Sequence, residues 1–320
     1  VRIGLQVTPE RGNYPEKVAR LVADARRVEQ DGFATAWVPQ IPDEFEALTA
    51  LALMGQATER IELATAVLPI QSRHPVAMAQ QALSTQAACN GRLSLGIGAS
   101  HHWIVESMLG LSYDKPAKQM RDYLDVLLPA LAGPGTVEVA NDTYRVHQPF
   151  DITDRATPVI LAALAPVMLR MAGERASGTL LWLADEKAIA EYIVPSIGKA
   201  AADAGRPAPR IIATVPLTLC RPADIDGARV FAAQRLGHAE FSPNYQRLLE
   251  HGDVRDIDEL LMAGDEADVL ARVRGFRDAG VTDLAVRVLP YGASTAERVA
   301  SRERSTSFLA SLATSAEFGG

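Results

Sequence analysis

Arg2-Ile3-Gly4-Leu5-Gln6-Val7, then Pro15, then Val18, Leu21, Val22, Ala25 and Val28 at helical spacing, then Gly32 and Thr35-Ala36-Trp37-Val38: with these residues the chain opens. The first run is aliphatic and strand-length. Pro15 belongs in the first turn of a helix, where no N–H is needed. The five apolar side chains fall on one helical face, and Gly32 supplies the residue that ends a helix. A strand, a helix and a second strand in this order make a parallel β/α unit.

The same beat runs on through the chain. Strand-like runs at 61–67, 93–97, 159–162, 179–183, 211–219 and 284–288 are separated by stretches of helical period. In one of these, Met120, Tyr123, Leu124, Leu127, Leu128 and Leu131 form a single stripe. Eight strands with crossover helices predict one (β/α)8 barrel, a single domain over residues 1–320. Two segments interrupt the alternation. Residues 136–139 and 144–147 flank Asn141-Asp142 and predict an inserted β-hairpin, and 224–264 is longer than one helix needs and carries Phe241-Ser242-Pro243. The second is expected to be a helical lid over the barrel mouth.

Composition limits the function. With 320 residues, 48% hydrophobic and 22% charged, the chain reads as an ordinary globular protein. A net charge of −7, with no Lys/Arg-rich block, argues against nucleic acid as a partner. The apolar stretches are strand-length and the first residues resemble no leader, so neither a membrane span nor a signal peptide is expected. Cys89 and Cys220 lack metal or disulfide spacing, which predicts no metal site and suits a reducing cytoplasm.

In a barrel, chemistry stands just after each strand. The informative loops are Trp37-Val38-Pro39-Gln40-Ile41-Pro42, Ala66-Val67-Leu68-Pro69-Ile70-Gln71 and Gly98-Ala99-Ser100-His101-His102-Trp103. His101 follows the fourth strand directly, where an imidazole can protonate a substrate as a hydride arrives. After the fifth strand, Leu161-Ala162-Ala163-Leu164-Ala165-Pro166 leads into a helix whose first N–H groups and dipole favour an anion such as a cofactor phosphate.

The runs Ser72-Arg73-His74-Pro75-Val76-Ala77-Met78-Ala79-Gln80 and Asn90-Gly91-Arg92-Leu93-Ser94-Leu95-Gly96-Ile97-Gly98 closely resemble the luciferase-like monooxygenase superfamily, in its branch of coenzyme F420 (deazaflavin)-dependent oxidoreductases. The resemblance continues through residues 158–179 and Ala263-Gly264-Asp265-Glu266. It implies a third strand ending in a bulge with a non-prolyl cis peptide, carried over to Ala66-Val67, behind the deazaflavin ring. It also implies that Gln40, Ala66, Val67, Pro69, Ala99, Ser100, His101, Ala162, Ala163, Leu164 and Ala165 hold the cofactor, and that copies pair as a homodimer. The sugar-phosphate dehydrogenases of this group carry Asp-His where Gln40-Ile41 stands and a glutamate where His101 stands, so their acid/base pair is missing. The expected activity is hydride transfer between reduced F420 and a small organic substrate with an activated C=C, C=N or C=O bond. The alternatives are an FMN-dependent monooxygenase and a non-catalytic cofactor-binding barrel.

Overall fold

A computed structural model describes residues 1–8, 14–236 and 243–319. In chain order its elements are β1 (Arg2–Gln6), α1 (Lys17–Gln30), β2 (Thr35–Val38), α2 (Ala47–Ala57), β3 (Glu62–Thr65), β4 (Leu68–Pro69), α3 (Pro75–Ala88) and β5 (Leu93–Gly98). There follow α4 (Pro116–Ala130), β6 (Gly135–Ala140), β7 (Arg145–Phe150), β8 (Val159–Ala162), α5 (Pro166–Arg175), β9 (Gly178–Trp182), α6 (Glu186–Ala188) and α7 (Val194–Asp203). The last third holds β10 (Arg210–Leu219), α8 (Ile225–Leu236), α9 (Pro243–His251), β11 (Met262–Gly264), α10 (Glu266–Asp278), β12 (Asp283–Val288) and α11 (Thr295–Ala313).

Strands β1, β2, β3, β5, β8, β9, β10 and β12 pair in parallel, each with the next, and β12 returns to β1. The ring is a closed (β/α)8 barrel. The inserted hairpin is present as the antiparallel pair β6 and β7, and the 224–264 excursion consists of α8, α9 and the short β11, which adds to the end of β10. Phe241 and Ser242 lie outside the described residues.

Local sequence explains the helix starts. Pro75 and Pro166 occupy first-turn positions, and α10 and α11 open on capping boxes, Asp265 with Asp268 and Ser294 with Glu297. The first helix starts later than Pro15 suggests, because a 3-10 turn over Tyr14–Glu16 precedes it. Its buried stripe is Leu21, Ala25 and Val28, whereas Val18, the second residue of the helix, is 40% exposed. The third strand is shorter than the expected run 61–67, covering Glu62–Thr65 as β3, and the non-prolyl cis peptide that the resemblance implies is present between Ala66 and Val67, ahead of β4.

The lumen is filled by Trp37, Ala64, Ile160, Leu180, Ile212 and Ala285. Trp37 leaves no room for a side chain at Gly4, where a Cβ would lie 2.5 Å from the indole nitrogen. Below this layer, at the strands' N-terminal ends, Arg2, Glu62, Arg210 and Asp283 form a closed set of ion pairs; Arg210 reaches Glu62 at 2.7 Å and Asp283 at 2.8 Å. Burial alone would raise the Glu62 carboxyl, but hydrogen bonds from Arg210 and Ser94 and the charges of Arg210 and Arg2 bring it down to about 2. These charges plug the barrel floor and leave the opposite end for chemistry.

Candidate active site

Side chains alternate along a strand, so residues two beyond the lumen layer face the mouth. They are Pro39, Ala66, Ala162, Trp182, Thr214 and Arg287, with Gln6 two beyond Gly4. Thr214 Oγ1 and Gln6 Oε1 are buried there without a hydrogen-bond partner. A cavity of about 470 Å³ lies at the ends of β1 and β12 and extends outward between α1, α8 and α11, lined by Gln6 and Arg287 and by Arg27, Phe231 and Arg298.

The side of the mouth built by β3, β5 and β8 is made of small residues. Val67 packs on the lumen layer, and a Cβ at Gly98 would stand 3.0 Å from Val67 and 3.1 Å from Ala162. Pro69 pairs with Gly98. The next turn is tied down: the Gln71 side-chain amide donates to the Ala99 carbonyl at 2.9 Å and the Tyr113 hydroxyl to the Ser100 carbonyl at 3.1 Å. Ser100 itself has φ +60°, a left-handed conformation that few non-glycine residues adopt. Together these residues form a shallow shelf.

Next to the shelf, Ala162, Ala163, Leu164 and Ala165 lead into α5. Ala165 is extended, with φ −90° and ψ 152°, and caps the helix with no side chain, so the first-turn N–H groups keep no internal acceptor. The Tyr192 hydroxyl donates to the Leu164 carbonyl at 3.2 Å and fixes this turn from behind. Gln40 stands on the rim with its amide turned away, its Oε1 accepting from the Ala47 N–H at 3.1 Å at the start of α2.

His101 lies at the edge of the shelf, stacked on Trp103 at 4.3 Å between ring centres, with Tyr245 of α9 at 6.0 Å. His102 is exposed and meets Trp103 edge-on, so the two neighbours have different surroundings. Burial first, then the neighbouring His102, lowers the His101 pKa to about 4. With its pKa so lowered, this ring is uncharged at neutral pH, able to accept a proton or to donate one neutral N–H. No group of three His, Cys, Asp or Glu among the described residues is placed to hold a metal ion.

The helix carrying Tyr245 is anchored at its far end. The buried Asp185 carboxylate accepts from the backbone N–H of Asp253 at 2.6 Å and of Ala188 at 2.8 Å, and Gly252 passes so close that a Cβ would touch that carboxylate at 2.4 Å. The rings of Tyr192 and His251 stack at 4.2 Å. These contacts set α9 over the β5–β9 side of the mouth. They were hidden in the sequence, because Tyr192, Asp185 and Tyr245 stand in no recognisable motif.

A family model described as luciferase-like monooxygenase matches residues 2–302. The chain belongs to the luciferase-like monooxygenase family. A Mycobacterium tuberculosis protein named as a coenzyme F420-dependent oxidoreductase is 32% identical over 167 residues, a match that spans about half of each chain, 52% of this one and 46% of that. The 5,10-methylenetetrahydromethanopterin reductase of Methanopyrus kandleri is 27% identical over 225 residues, 64% of this chain and 62% of that. Among solved structures, the coenzyme F420-dependent tetrahydromethanopterin reductase of Methanopyrus kandleri superposes with a TM-score of 0.72 at 22% identity, covering 97% of both chains. The oxygenating constituent of 3,6-diketocamphane monooxygenase from Pseudomonas putida, in complex with FMN, gives 0.73 at 14% identity, over 97% of this chain and 96% of that. At these identities the structures establish the shared barrel. The barrel and family expected from the sequence are both met.

Proposed function

We propose that this member of the family transfers a hydride between reduced coenzyme F420 and a small organic substrate with an activated C=C, C=N or C=O bond. The observation that carries the reading is the small-residue shelf of Ala66, Val67, Gly98, Ala99 and Ala162 beside the uncapped start of α5. A flat ring needs the first and an attached phosphate the second. Ala163, Leu164 and Ala165 would hold the phosphate, and Pro69 and Ser100 would shape the turn around the ring.

When bound, the reduced deazaflavin supplies the hydride. The chain's own residues orient the partners and exclude water, with Trp103, Tyr113 and Tyr245 providing the apolar wall. His101 manages the substrate's proton: as a neutral imidazole it accepts one in the direction that oxidises substrate and returns it in the reverse direction. Names of relatives with F420 support the deazaflavin reading, and the FMN-bound neighbour keeps FMN as the alternative. Apoprotein incubated with equal amounts of F420 and FMN and then desalted is expected to retain F420. Retention of FMN alone would transfer the assignment to the monooxygenase reading.

A further inference from the structure

Gln6, Thr214 and Tyr245 all bring polar atoms to the mouth that the hydride reaction, as described, leaves unused, and of these Tyr245 is the one whose ring faces His101. Tyr245 is only 7% exposed, sits on α9, and its ring faces His101. Among the described residues its hydroxyl makes no hydrogen bond, unlike Tyr113 and Tyr192, whose hydroxyls are bound to backbone carbonyls. A phenol hydroxyl that donates to no group of the protein can donate to a bound molecule. Its position is fixed rather than incidental, because Asp185 and the Tyr192–His251 stack hold the C-terminal end of α9.

We propose that Tyr245 is the substrate-recognising donor of this site, hydrogen-bonding the carbonyl oxygen or imine nitrogen of an uncharged substrate held beside His101. The inference rests on the hydride-transfer reading and adds the class of substrate to it. Uncharged follows from the surroundings. His101, Trp103, Tyr113 and Tyr245 form an aromatic wall, and among the described residues no carboxylate, lysine or arginine acts on the charge state of His101, Tyr113 or Tyr245. Burial, with His102 beside His101 and Tyr113 beside Tyr245, is what perturbs these groups, keeping the imidazole neutral and the phenol protonated. An ionised substrate group placed against this wall would be desolvated with no counter-charge.

Protein loaded with F420 and titrated with cyclohex-2-enone, and separately with the same ring bearing a carboxylate, separates the outcomes. Binding is read from the indole N–H resonance of Trp103, assigned with Trp103→Phe, so no turnover is needed. The enone is expected to shift that resonance in the wild type and to bind about tenfold more weakly to Tyr245→Phe, with F420 affinity equal in both proteins. The carboxylate is expected to leave the resonance unmoved. An enone that does not bind, a carboxylate that binds as tightly, or a Tyr245→Phe protein with wild-type affinity for the enone overturns the inference. Failure of the wild type to retain F420 sinks the cofactor reading instead, before any enone is added.

Discussion

His101 shows what one residue gains from its fold. Its place was legible, since two histidines directly after a strand that ends in Gly96-Ile97-Gly98 must stand at a barrel mouth. Its charge was not, because Tyr245, which helps to bury it, lies far along the chain on α9. The lowered pKa, about 4, makes two outcomes expected. In an NMR titration of labelled histidine, the signal absent from His101→Gln should stay neutral until well below the ordinary imidazole range. The same group links stability to pH. Its folded pKa lies below its unfolded one, so its contribution is complete above about pH 6.5 and is lost as pH falls towards 4, by roughly 3 kcal/mol in total. Urea unfolding over that window should show a weaker pH slope in His101→Gln than in the wild type. A catalytic role further requires that this variant lose roughly 10²-fold or more in turnover while binding F420 normally. A titration near the ordinary value with unchanged turnover would reduce His101 to a wall of the site.

Among the elements, the start of α5 has the most direct consequence. It was legible from Pro166, whose fixed geometry suits a first helical turn, and the structure adds that Ala165 leaves the N–H groups uncapped. Ala165→Glu places a carboxylate where those donors point. It should weaken binding of the phosphate-bearing cofactor by at least tenfold while leaving the melting temperature within a few degrees, as an acidic group near a helix start is otherwise favourable. Unchanged affinity in a folded variant would exclude this turn as the phosphate site. The lid was legible only as excess length between β10 and α10. That α9 is locked to Asp185 and Tyr192 depends on contacts across the barrel mouth, for which the sequence carries no periodic signal.

For the molecule as a whole, the alternation of strands and helices was enough to read a closed barrel, since parallel strands buried on both faces need crossover helices. The polar floor was not readable, because Arg2, Glu62, Arg210 and Asp283 meet only when β12 closes on β1. Arg210→Met should leave Glu62 and Asp283 with the partly exposed Arg2 alone and lower unfolding free energy by about 3–5 kcal/mol, measured by urea denaturation at neutral pH; a loss under about 1 kcal/mol would show that the floor is not held by these charges. Its distance from the mouth predicts no change in cofactor affinity. The cofactor itself decides the central claim. Titration of the apoprotein by fluorescence quenching, with F420 and with FMN, should give at least tenfold tighter binding of F420 and no oxygen uptake by the reduced complex, whereas equal or tighter binding of FMN accompanied by oxygen consumption would contradict the account.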